Sequence, residues 1–215
     1  MTDSTLRPDP SKEECPDREQ WREMYDQIAG MASILFRPEL DDFYRYWIRL
    51  SLFPTVATVD QYDLPGVSPK DDAPRFVKVV DENHLLRPDR PGNVKIETLS
   101  VLTTNPRMGL MLVAPGDREL MRVERTATVT SRPEVLPLAV ADVKTPKSAI
   151  VIEVRRVVFH CGKAKMRWKL WDPASQMSRA PFTSREAVAK VAGEMKELVK
   201  LRGQIVEDHY ENRTY

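Results

Sequence analysis

The chain has 215 residues, 41% of them hydrophobic and 30% charged, which is enough apolar material for one buried core but too short a chain for a second full catalytic domain. Its 33 Lys and Arg against 32 Asp and Glu leave a formal charge of +1, so the overall field excludes indiscriminate attraction to nucleic acid or to a membrane surface, and any anion site must be local. With only Cys15 and Cys161, no apolar run of about 18 residues, and polar, Pro-containing first residues, neither a disulfide framework, a membrane helix nor secretion is expected, and the natural compartment is the cytoplasm.

Residues 1 to 16 mix Pro8, Pro10 and Pro16 with polar and acidic side chains and present no apolar face, so a disordered tail is expected there. Residues 17 to 52 read as N-terminal helices. Asp17 with Gln20 forms a capping signature, after which Trp21, Met24, Tyr25 and Ile28 recur at helical spacing as far as Gly30. A second helix is expected from Pro38, a proline placed in the first turn, with Leu40, Phe43, Tyr44, Trp47 and Ile48 as its apolar stripe.

Residues 53 to 175 change character. Thr55 to Val59 is short and β-branched, and further strand signals lie at Val67 to Lys70, Phe76 to Val80, His84 to Arg87, Met108 to Val113, Leu120 to Thr130 and Ala149 to Phe159. Turn chemistry separates them, as at Asp81-Glu82-Asn83 and Pro115-Gly116-Asp117, and one short helix is expected over 94 to 104. Roughly six or seven strands without a parallel βαβ rhythm suggest a mainly β chain, an antiparallel barrel closed or nearly so. Residues 183 to 203 close the pattern with a C-terminal amphipathic helix, opened by the capping box Thr183-Ser184-Arg185-Glu186 and carrying Val188, Val191, Met195, Leu198 and Val199 on one stripe.

The stretch from Arg87 to Lys95 carries the most chemistry. It joins a strand to the short helix, where Gly92 permits close backbone approach, Asn93 can cap the helix, and Arg90 and Lys95 add charged donors beside N–H groups that favour phosphate. The same residues also suit a basic surface turn capped by Asn93, and no P-loop or Rossmann glycine pattern decides between the two.

The order of several blocks does bear on it. Phe53-Pro54-Thr55-Val56-Ala57-Thr58-Val59-Asp60, Val67-Ser68-Pro69-Lys70, Pro88-Asp89-Arg90-Pro91-Gly92-Asn93, Asn105-Pro106-Arg107-Met108-Gly109-Leu110, and Phe159-His160-Cys161-Gly162-Lys163-Ala164 with Leu170-Trp171 follow one another over roughly residues 40 to 175. In this order they resemble the FMN-binding pyridoxamine-5′-phosphate-oxidase-like family. The resemblance implies a split β-barrel with flanking helices, FMN as cofactor, and a homodimer with the flavin at its interface. It also implies that the flavin phosphate sits near the start of the short helix on Asn93 and Lys95, with Arg90 next and Asp89 in the same block. Ser68 and Lys70 would run along the ring and ribityl chain, and His160, Lys163 and Trp171 would be ligands, some of them supplied by the second subunit. One departure stands out. The pyridoxamine phosphate oxidases proper carry an Arg-Lys pair where Glu97-Thr98 stands here in an ungapped match, which implies either an insertion or a changed phosphate grip.

Sharper readings of His160-Cys161 fare less well. The other histidines, His84 and His209, lack metal-ligand spacing, so no metal is expected, and neighbouring residues on a strand point apart, which leaves the imidazole badly placed to activate the thiol. His160 suits either a donor to a flavin carbonyl or a structural histidine, and Trp171 either a flavin neighbour or an interface aromatic. Asp41-Asp42 and Asp71-Asp72 read as caps or solvated turns. The functional expectation is a flavin-dependent oxidoreductase acting on a small molecule, with a non-catalytic flavin-binding module as the alternative. A strict pyridoxamine phosphate oxidase is disfavoured, because Lys165-Met166-Arg167-Trp168 stands where an Arg-x-His substrate motif would be needed.

Overall fold

The computed structural model of the chain describes residues 17–25, 36–70, 76–90, 95–140 and 145–176. Asn93, Asp71-Asp72, the tail expected at 1–16 and the helix expected at 183–203 lie outside them. The chain divides into two compact units, 1–164 and 165–215.

The first unit is built on a seven-stranded, wholly antiparallel sheet: β1 (Phe53–Val59), β2 (Pro65–Pro69), β3 (Lys78–Val79), β4 (His84–Pro88), β5 (Arg107–Val113), β6 (Leu120–Thr130) and β7 (Ala149–His160). Every strand expected from the β-branched runs is present. The order across the sheet is β2-β1-β5-β6-β7-β4-β3. Its spine is the long β6–β7 ladder, running from Leu120 opposite His160 to Thr130 opposite Ala149, with a bulge at Glu124/Arg125.

Strand alternation sends every second side chain inward. Val56 of β1, Leu85 of β4, Leu110 and Leu112 of β5, Met121 and Val123 of β6 and Ile150 and Ile152 of β7 share one buried cluster, although β1 and β4 stand at opposite sides of the strand order. A flat sheet could not bring them together, so the sheet must curl. The registers give the stagger of that curl. Lys70 donates its N–H to Pro54, and the pairings from Pro54 through Leu112 and Met121 lead to Phe159, whereas Arg87 pairs with Ile150, nine residues earlier on β7. Tilted strands of a barrel require such a stagger. Since the outermost strands β2 and β3 are not paired with each other, the barrel is split.

Two of the helices add side chains to this core, Tyr44, Trp47 and Ile48 from one and Leu102 from the other. α2 (Asp42–Leu50) is capped by Asp41, whose carboxylate accepts from Phe43 N–H at 3.0 Å and Tyr44 N–H at 3.1 Å. Its start is thus later than expected: Pro38 precedes the helix, because the Asp41 side chain supplies the cap that defines it. Leu40, Tyr44, Trp47 and Ile48 enter the core as expected, but Phe43 remains 66% exposed. The helix α3 (Glu97–Thr104) begins three residues later than the expected 94, with Ile96 at its N-cap and no side-chain cap hydrogen bond among the described residues. α1 (Arg18–Met24) has the expected capping box between Asp17 and Gln20, yet Trp21, Met24 and Tyr25 are exposed. A short helix not foreseen, α4 (Lys163–Arg167), follows β7.

Candidate functional site: a cationic barrel mouth

Ser68 lies opposite the buried Val56, on the inward-facing set of β2, and Lys70 two residues on continues that set. On β4 the inward set is Leu85, Arg87 and then Asp89, whose N–H extends the pairing to β7 through the Ser148 carbonyl at 2.9 Å. Arg87 is only 4% exposed. The curl of the sheet brings these two strand ends together. Burial, and after it the Arg87 guanidinium, hold the Lys70 ammonium below the usual lysine range, while Asp89 and Glu97 pull in the other direction. Lys70, Arg87, Asp89 and the first turn of α3 therefore share one mouth of the barrel.

The chemistry of this mouth favours an anion. Two cations lie near enough to repel, one of them buried, and a phosphate between them would favour both charged forms. The half-buried Arg90 and the exposed Lys95 flank the same strand-to-helix connection in the chain, while the charges that act on Lys70 are Arg87, Asp89 and Glu97. Ser68 adds a hydroxyl that makes a long bond, 3.4 Å, to the Pro69 carbonyl.

His160 and Lys163 stand elsewhere. His160 is exposed and forms the last rung of the β6–β7 ladder, opposite Leu120, whereas Arg87 and Pro88 pair near the first residues of β7. From Ala149 to His160 is about 36 Å of strand, at roughly 3.3 Å per residue. Lys163 opens α4 just beyond, and Cys161 is exposed and free. Trp171 belongs to the second unit, where it is 43% exposed. One chain thus joins Ser68, Lys70, Arg87 and Asp89 at one mouth, with Arg90 and Lys95 adjoining Asp89 and α3 in the chain, and leaves His160 and Lys163 at the other end of β7.

Two contributors were not foreseen. Arg87 could have been noticed as a charged residue in the inward set of an otherwise apolar strand, between Leu85-Leu86 and Pro88. The second is an aromatic group at the far end, where Phe159 stacks on Tyr44 with ring centroids 4.9 Å apart and meets Phe43 and Trp47 edge-on at 5.4 and 5.7 Å. The α2 stripe predicted those aromatics, but only the fold brings them to the residue preceding His160.

No protein-family profile and no curated protein matches the chain. Solved structures do align with it. HupZ of Group A Streptococcus is 20% identical over 55% of this chain and 91% of its own, with a TM-score of 0.46. A protein described as a putative pyridoxamine 5′-phosphate oxidase from Lactobacillus delbrueckii is 19% identical over 56% and 94%, also at 0.46. The FAD binding protein of Mycobacterium smegmatis is 11% identical over 58% and 97%, at 0.40.

Proposed function

We propose that the chain is a flavin-binding protein of the pyridoxamine-5′-phosphate-oxidase-like kind, with FMN as its cofactor, acting as a flavin-dependent oxidoreductase on a small organic molecule. The observation that carries this reading is the meeting of Lys70 and Arg87, with Asp89 beside them, at one mouth of a split barrel. This donor set suits a flavin phosphate: one buried and one half-buried cation, flexible lysine and fork-shaped arginine together, at a strand end. The block order from Phe53 to Trp171 supports the same ligand. When bound, the flavin supplies the hydride or two-electron transfer, and the protein holds and orients it.

The opposite placement of His160 and Lys163 favours a homodimer with two composite sites. In that arrangement the mouth of one subunit holds the phosphate, and the β7 end of a second copy brings His160 and Lys163 to the ring. An exposed apolar sheet surface suits the contact: outward on β2, β1 and β5 are Val67, 70% exposed, Ala57, and Met111, 37% exposed, with Val67 paired to Ala57 and Ala57 to Gly109.

Purified protein should absorb in the flavin bands and release FMN on denaturation. Riboflavin, which lacks the phosphate, should bind far more weakly than FMN, and a reduced nicotinamide should bleach the bound flavin without oxygen. Equal affinity for riboflavin and FMN would remove the phosphate role of the mouth, and a flavin that no donor reduces would remove the oxidoreductase reading.

A further inference from the structure

Two glycines in the first unit are there for different physical reasons. Gly116, in the β5–β6 connection, has φ 79 and nothing within 4 Å of where a Cβ would stand, so it serves the left-handed turn. Gly162 is the reverse: its φ lies outside the left-handed region, and a Cβ there would run into the carbonyl carbon and oxygen of Arg118 and lie 3.3 Å from its Cα. The constraint is the nearness of another backbone. Gly162 is buried while Cys161 and Lys163 on either side are exposed.

This close approach comes where the ladder has ended. His160 makes the last rung with Leu120, and one turn later the chain lies directly on Arg118, within the connection that Gly116 turns and that Asp117 braces by accepting the Glu119 N–H. Backbone cannot swing aside as a long side chain can. Any residue larger than glycine must lift the 161–163 turn or push the 114–119 connection away, and the side chains of His160, Cys161 and Lys163 move with the turn.

We infer that Gly162 is a positioning residue: by seating the turn on the backbone of Arg118 it sets where His160 and Lys163 stand for the ligand. This rests on the flavin reading above. A site displaced by about an ångström loses much of its binding, because the donors then miss their acceptors.

The test is a double-mutant cycle on the full chain, with FMN affinity read from flavin fluorescence. Gly162→Ala is expected to weaken FMN by at least about tenfold. Lys163→Ala should weaken it in the native background and make no further difference once Gly162→Ala is present, because a misplaced lysine has nothing left to lose. Full additivity, or unchanged affinity in Gly162→Ala, overturns the inference while leaving the flavin reading intact, whereas a native protein that binds no FMN overturns both. Should Gly162→Ala fail to fold, hydrogen exchange of the native protein decides: FMN is expected to slow the amides of 114–119 and 160–164 together, and protection of one segment alone overturns the coupling.

Discussion

Lys70 and Arg87 are five strands apart in the order of the sheet, yet the curl of the barrel sets them against each other at one mouth. The depressed Lys70 pKa follows from burial first and Arg87 second. A bound dianion favours the charged lysine, so FMN binding should take up a proton once the pH is near the lowered pKa. Affinity is therefore expected to fall as pH rises through that value, below the ordinary 10.5 of a lysine. Folding has the opposite sign. Between the folded pKa and 10.5 the unfolded chain binds more protons, so the Lys70 contribution to stability improves with rising pH. FMN titrations from pH 7 to 10 check the first statement. Lys70→Met should bind more weakly and lose that slope, and a slope that persists would place the titrating group elsewhere.

The turn before β4 answers to acid. Burial alone would raise the Asp81 pKa, but the Asn83 N–H at 2.8 Å and the His84 imidazole at 2.9 Å outweigh it, and the carboxyl lies below its usual 3.8. A depressed carboxylate stabilises the fold above the unfolded pKa and loses that contribution as pH falls through the folded one. The turn also holds other elements, since Glu82 accepts from Leu40 N–H and Asn83 from Val154 N–H. Asp81→Ala is expected to lower the melting temperature at pH 6 and to flatten its decline between pH 5 and 3. An acid limb as steep as that of the native protein would count against it.

Arg125 is a stability defect next to the β6–β7 bulge. Its Nε and Nη2 are buried without a hydrogen-bond partner among the described residues, and burial, then Arg155, lower its pKa against the pull of Glu153. An unmet buried donor costs more than a well-packed apolar group in its place. Glu153 would keep the Thr126 hydroxyl at 3.1 Å and Arg155 at 3.7 Å without it. Arg125→Met is therefore expected to stabilise the fold by about 1 kcal/mol, measured by urea denaturation. A loss of stability would show that the guanidinium is satisfied in solution.

Local signals in the sequence carried the strands and failed at the joins. The β-branched runs located all seven because alternation is written in neighbouring residues, and Asp17 to Gln20 gave its capping box for the same reason. Pro38 misled because a first-turn proline and a proline just ahead of a helix look alike until a side chain is seen making the cap. The mouth was half visible. Lys70, Asp89, Arg90 and Lys95 stood out by charge and block order, but the meeting of Lys70 with Arg87 depends on a nine-residue stagger accumulated across the sheet, which no local pattern encodes. The seat of Gly162 on Arg118 is hidden for the same reason, since a glycine needed for contact looks in sequence like one needed for a turn.

The composite site makes its sharpest prediction far from both clusters of candidates. Met111 faces outward on β5, paired with Thr55 on one side and Arg122 on the other, in the middle of the proposed contact surface. A carboxylate there would be left without water in a dimer but fully hydrated in a monomer. Met111→Glu should therefore leave monomer stability within about 0.5 kcal/mol, as exposed substitutions do, while splitting the dimer. FMN affinity should fall with it, although no residue of the mouth has changed. The native protein should show the same link as a concentration dependence, with flavin binding weakening on dilution below the dimer dissociation constant. Sedimentation and flavin fluorescence on the same samples read both. A Met111→Glu monomer that binds FMN as tightly as the native protein would mean that one chain holds the whole site, and that His160 and Lys163 have another purpose.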